Sequence, residues 1–115
     1  MRTHLNVVVL HTENLDAARS YFTGTLKLEV GAEHPGRVLE FVAQGGAELA
    51  LQERPGATGS GQELWLIVED TDTYHAQVLA AGANVVQAPH DGPFGRAFTV
   101  RTPDGHRLTF HSGEA

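Results

Sequence analysis

Residues 36–52, GRVLEFVAQGGAELALQ, lie over residues 95–111, GRAFTVRTPDGHRLTFH, without a gap. Gly36 and Gly95, Arg37 and Arg96, Gly46 and Gly105, and Leu49 and Leu108 are identical pairs. Apolar Leu39, Phe41 and Leu51 meet apolar Phe98, Val100 and Phe110. The upstream segments also align, Val7 over Glu63 and Val30 over Val86. This repeat is the strongest constraint on the fold, because each copy has to be one supersecondary unit and both have to share its architecture.

Each copy reads β-α-β-β-β. In the first, LNVVVL (5–10) is short and β-branched, as a buried strand is. Residues 14–26 space Leu15, Ala18, Phe22 and Leu26 three to four apart, which is one helix face, with Asn14 as N-cap. Residues 27–33 follow as a strand, and 37–53 form two alternating runs around Gly45-Gly46, a hairpin. The second copy gives a strand over 63–69, a helix over 70–82 from Asp70 to Gly82, a strand over 83–89, a loop over 90–95 and a closing hairpin over 96–112. Between them RPGATGSGQ (54–62) has Pro55, several glycines and no large apolar residue, so it reads as a flexible linker. The fold class expected is α+β: two tandem βαβββ modules, about 1–53 and 63–115, in one 115-residue domain of curved mixed sheets.

The turn in the last hairpin sets the register. Pro103 suits the second position of a type I turn, Asp104 the third, and Gly105 the left-handed residue that follows. Thr102 then faces His106, Val100 faces Leu108, Thr99 faces Thr109 and Phe98 faces Phe110. By alternation, Phe98, Val100, Leu108 and Phe110 pack under a helix, while Thr99, Arg101, Thr109 and His111 point the other way. The first copy places Leu39, Phe41, Leu49 and Leu51 under its helix, and Val38, Glu40, Val42, Ala50 and Gln52 opposite. The parity of the first strands sends Val7, Val9 and His11, and Glu63, Trp65 and Ile67, to those same outer faces.

Those faces combine exposed apolar groups with convergent polar ones, the composition of a ligand site. The candidate ligand-binding residues are His11, Glu40, Gln52, Glu63, Trp65, Arg101 and His111, with Phe94 on the preceding loop able to close over a ligand. Trp65 would offer a stacking surface, and Glu40 and Glu63 would attract a cationic or hydrogen-bonding ligand. His4, His34, His75, His90 and His106 fall on termini, loops or a helix surface and are read as solvated.

The chain carries a net charge of −6 and has no cysteine. The first argues against binding to nucleic acid, and the second excludes disulfides and thiolate metal sites. No apolar run is long enough to span a membrane, and the N-terminus lacks the long apolar run of a secretory signal. A soluble, cytoplasmic protein is expected.

The paired βαβββ modules, NLDAARSYFTGTLKLEV (14–30) in the first and PFGRAFTVRTPDGHRLTF (93–110) in the last hairpin, resemble the vicinal oxygen chelate superfamily. That group includes glyoxalase I, extradiol dioxygenases, fosfomycin-resistance enzymes and bleomycin-resistance proteins. Thr102 stands where the family usually begins an Asp-Pro-Asp-Gly turn. The resemblance implies two modules around a central cleft, commonly shared across a homodimer. It also implies a divalent metal on the first and last strand of each module, which here are Val7, Ala50, Glu63 and Thr109. Only Glu63 of these ligates well. The expectation is therefore no metal and no cofactor, and a protein that sequesters a small-molecule ligand such as an antibiotic. Two alternatives stay open: a metal-dependent lyase, isomerase or dioxygenase using a displaced site of Glu63, Gln52 and His111, and a non-catalytic assembly module.

Overall fold

The computed structural model describes residues 2, 5–43, 45–57 and 63–113. The chain folds as two compact units, 1–58 and 59–115. The first contains β1 (Val7–Thr12), α1 (Leu15–Ser20), β2 (Val30–His34), β3 (Val38–Phe41) and β4 (Glu48–Glu53). The second contains β5 (Glu63–Ile67), α2 (Thr71–Ala80), β6 (Asn84–Gly92), β7 (Gly95–Arg101) and β8 (Arg107–His111).

Each unit is an open four-stranded mixed sheet, ordered β1-β4-β3-β2 in the first and β5-β8-β7-β6 in the second. The repeat carries through to individual strand pairs. Val7 pairs with Glu48, Val8 with Leu49 and His11 with Gln52 in the parallel β1/β4 ladder. At the equivalent positions Glu63 pairs with Arg107, Leu64 with Leu108 and Ile67 with His111 in β5/β8. In the closing hairpin Val100 pairs with Leu108, Thr99 with Thr109 and Phe98 with Phe110, the register the Pro-Asp-Gly turn sets. Its turn is closed by Gly105 N–H to the Thr102 carbonyl at 2.8 Å and Thr102 N–H to the His106 carbonyl at 2.8 Å, with Gly105 at φ 92°.

The core of each unit lies between its sheet and helix. Phe22 stacks on Phe41 at 5.4 Å in the first unit, among buried Leu15, Leu26, Leu39 and Leu51. Phe98 stacks on Phe110 at 5.5 Å in the second, and Tyr74 of α2 meets Phe110 edge-on at 4.9 Å. Full burial of rings this size contributes about 2–3 kcal/mol each. Both helices start at the expected cap: Asn14 Oδ1 accepts from Ala17 N–H at 3.0 Å, and Asp70 Oδ1 from Thr73 N–H at 3.1 Å. A second feature is duplicated. Arg37 pairs with Asp16 at 3.6 Å and Arg96 with Asp72 at 3.4 Å, each tying the start of a hairpin to the first turn of a helix.

Several boundaries differ from the sequence reading. The 14–26 helix is α-helical only to Ser20 and continues as a π-helical turn over Tyr21–Thr25. It ends with Lys27 at φ 65° and Leu28 N–H bonded to the Phe22 carbonyl at 2.9 Å. Lys27 thus does what glycine commonly does at a helix end, which delays the next strand to Val30. The 90–95 stretch is not a loop. It is the end of β6 and the start of β7, paired Asp91 with Arg96 and Gly92 with Gly95 around a turn at Pro93-Phe94. The pair His34–Val38 is bridged by three residues in the first unit, whereas the equivalent pair His90–Ala97 is bridged by six in the second. The first unit's β3–β4 connection is also broader than a tight Gly-Gly hairpin: β3 ends at Phe41 and β4 begins at Glu48. Residues 58–62 of the linker and His4 lie outside the described residues.

Candidate functional site

In each unit one sheet face is covered by the helix and the other carries the candidate residues. Alternation along β5 leaves Glu63, Trp65 and Ile67 exposed and Leu64 and Leu66 half-buried. Trp65 and Phe94 meet edge-to-face at 5.3 Å, and Trp65 and His111 at 5.6 Å. Phe94 and His111 are 6.2 Å apart, so the three rings form one cluster. Trp65 remains 40% exposed and Phe94 51%. Large apolar rings normally leave water, so an exposed aromatic cluster on a folded sheet is a surface available to a ligand.

The backbone around this cluster is tightly held. Gly95 has φ 103°, and a Cβ there would fall 2.0 Å from the Gly113 carbonyl oxygen. Only glycine permits that approach. His111 Nδ1 lies 3.1 Å from the Phe94 carbonyl oxygen and 3.2 Å from Gly113 N. These contacts are alternatives: an unprotonated Nδ1 accepts from Gly113 N–H, and a protonated one donates to the Phe94 carbonyl. In the protonated form the imidazole ties the β6–β7 turn to the end of β8, and in the unprotonated form it fixes the backbone that follows β8.

A polar row runs next to the rings. Thr99 and Thr109, on β7 and β8, are fully buried, and their hydroxyls are 2.7 Å apart. Thr109 Oγ1 donates to Glu63 Oε1. Beyond Glu63 come Arg107, its partner across β5/β8, and Arg101, which pairs with Arg107 across β7/β8. Arg107 is not a candidate on the sequence reading, although its parity with Thr109 and His111 places it on this face.

In the first unit His11 pairs with Gln52, and Glu40 pairs with Ala50. His34 Nε2 is 3.3 Å from Glu40 Oε2. Glu48, also not singled out, joins this row. The hydrogen bond that a protonated Glu48 donates to the Glu40 carboxylate, then repulsion from the Glu40 charge, holds the Glu48 carboxyl above the usual carboxylate range. A cavity of about 220 Å³ opens on the helix side of this unit, lined by Leu15, Leu39, Asp16, Arg19 and Arg37 among others. Its cations are taken: Arg19 pairs with Glu33, and Arg37 with Glu53 at 3.2 Å and with Asp16.

His106 is not solvated as expected from its place after a turn. It is buried, with its N–H donating to Thr102 Oγ1 at 3.0 Å. His75 is half-buried, its ring edge-on to Phe98 with the centroids 5.1 Å apart.

The positions where the resemblance places a metal do not fit one. Val7 and Ala50 have no donor, and Glu63 already accepts from the Thr109 hydroxyl. Nor do Glu63 and His111 form the nucleus of a displaced site. Glu63 sits four residues along β5 from the partner of His111, roughly 13 Å, too far for two side chains to meet on one ion about 2 Å from each.

Residues 4–110 match the family model described as Glyoxalase/Bleomycin resistance protein/Dioxygenase superfamily. Among solved structures the chain is similar to TnmS3, an antibiotic binding protein from Streptomyces sp. CB03234. The TM-score is 0.80 at 22% identity, covering 98% of each chain. It is similar to protein ATC0852 from Agrobacterium tumefaciens, with a TM-score of 0.76 at 28% identity over 99% of this chain and 100% of that one. It is also similar to lactoylglutathione lyase from Agrobacterium tumefaciens, with a TM-score of 0.73 at 22% identity over 96% and 93%. Among curated proteins none matches.

Proposed function

The chain belongs to the glyoxalase/bleomycin resistance protein/dioxygenase superfamily, and from that membership we propose that it is a small-molecule-binding protein holding a planar aromatic ligand, such as an antibiotic, without a metal. The observation that carries the reading is the exposed cluster of Trp65, Phe94 and His111 on the outer face of the second sheet. Trp65 provides the stacking surface. Phe94, at the tip of the β6–β7 turn, stands edge-on to it and walls one side, and Glu63 supplies a carboxylate two residues away on the same strand. Arg101 completes the polar end of the face. The likeness to a protein described as antibiotic binding supports the ligand class. The donor-poor set at Val7, Ala50 and Thr109 supports binding over metal-assisted chemistry.

The test is calorimetric titration of the wild type and Trp65→Ala against a panel of planar aromatic and glycopeptide antibiotics. At least one compound should bind the wild type and lose about tenfold or more in affinity with Trp65→Ala, the loss expected when a stacked ring and its buried area are removed. A panel with no binder, or binding indifferent to Trp65, would refute the proposal. A homodimer is part of the same proposal, supported by Ile67, 74% exposed on edge strand β5. Light scattering giving the mass of one 12.4 kDa chain would remove that part.

A further inference from the structure

We infer that Thr109 is a positioning residue that aims the Glu63 carboxylate at the aromatic cluster, and that the ligand class is therefore an aromatic ring carrying a protonated amine. This rests on the reading of Trp65, Phe94 and His111 as the ligand platform.

The direction of the hydrogen bonds follows from counting protons. A hydroxyl has one hydrogen to give. Thr109 gives its hydrogen to Glu63 Oε1, because a carboxylate only accepts. Thr99, 2.7 Å from Thr109, must then be the donor in that pair. The chain of bonds runs one way, Thr99 to Thr109 to Glu63. Both threonines are fully buried, so water does not compete for either hydroxyl, whereas Glu63 is exposed at the end of the chain. An exposed glutamate normally samples many rotamers. This one is anchored through one oxygen, which leaves Oε2 as a fixed acceptor.

Glu63 and Trp65 project from the same face of β5, two residues and roughly 7 Å apart. A ring stacked on Trp65 can therefore carry an amine one short alkyl chain away and reach Oε2. A charged amine fits that acceptor better than a neutral group, since it adds attraction between opposite charges to the charge-assisted hydrogen bond. The first unit has no counterpart: Val7 and Ala50 stand at the positions of Glu63 and Thr109. The threonine at the metal-ligand position is thus not merely a lost ligand. It converts the remaining carboxylate from a metal donor into an oriented receptor for a cation.

The experiment measures the affinity ratio of tryptamine to 3-ethylindole, which share a ring but differ in the amine, by NMR titration. The set is wild type, Thr109→Val, Thr109→Ser and the double variant Thr99→Val/Thr109→Val. The double variant removes both partners of the buried bond, so it carries the test if Thr109→Val alone leaves Thr99 unpaired and folds poorly. Wild type and Thr109→Ser should prefer tryptamine by about tenfold, and the valine variants by no more than about threefold, with 3-ethylindole affinity unchanged throughout. A preference that survives in the valine variants overturns the role of Thr109 while leaving the platform intact. If neither compound binds wild type, the platform falls and this inference falls with it.

Discussion

Replacing Gly95 by alanine should be markedly worse than replacing Gly36, although the two glycines are equivalent members of the repeat. Both have positive φ, 103° at Gly95 and 86° at Gly36, and a side chain in that region costs about 1–2 kcal/mol. At Gly36 that is the whole cost, since no atom lies within 4 Å of a built Cβ. At Gly95 the Cβ would sit 2.0 Å from the Gly113 carbonyl oxygen, with the Gly113 carbonyl carbon at 2.8 Å. Both obstacles are backbone, so the end of the chain has to move away. Moving it breaks the Ser112 N–H bond to the Arg96 carbonyl at 3.2 Å and the Gly113 contact with His111. At about 1 kcal/mol for each bond, Gly95→Ala should cost roughly 3–4 kcal/mol against about 1–2 for Gly36→Ala. A gap of about 2 kcal/mol is roughly 8 °C in Tm for a chain of this size. Thermal unfolding followed by circular dichroism reads the gap directly. Trp65 fluorescence should also change in Gly95→Ala, because His111 and Phe94 both contact that ring. Equal Tm losses at the two glycines would refute the close approach of Gly113 and the account of the turn built on it.

Two predictions concern pH. Glu53 is held below the usual carboxylate range, first by the hydrogen bond from Arg37 and then by the Leu15 N–H. A lowered folded pKa gives stability that is present above the unfolded value, near 4.5, and lost as pH falls through the folded one. Glu53→Gln should therefore be less stable than wild type at pH 7, and urea midpoints should converge as pH drops below about 4.5. Glu48 has the opposite sign: its raised pKa makes ionisation unfavourable in the folded state, so its stability contribution is lost as pH rises. Glu48→Gln should match wild type at low pH and exceed it at neutral pH, and a constant difference across the range would contradict the Glu40–Glu48 coupling.

Much of this was legible in the sequence because two kinds of information coincided. The repeat supplied the element order, and the Pro-Asp-Gly turn supplied the register. From these, alternation placed Trp65, Glu63, Thr109 and His111 on one face. What was not legible depended on contacts between distant residues. Burial of His106 follows from how its backbone closes the turn onto Thr102, and a residue after a turn looks solvated in a linear reading. The hydrogen bond from Thr109 to Glu63 joins positions 46 apart. Glu48 and Arg107 obey the same parity as the candidate residues, but charge at a strand start reads as solvation in the sequence. The 90–95 segment, with Pro93 between Gly92 and Gly95, has the composition of a loop, and only the pairing of β6 with β7 shows a strand.

That segment also separates the two copies. Three residues bridge His34 and Val38, and six bridge His90 and Ala97. The extra three lengthen one hairpin by two rungs and carry Phe94 out to stand beside Trp65. The copies thus differ in reach more than in plan. The second copy carries its aromatic wall on a longer hairpin tip, away from the Phe98–Phe110 core. Shortening that hairpin by the same three residues would give a second unit with the fold of the first, and a Trp65 that keeps His111 beside it but has no Phe94.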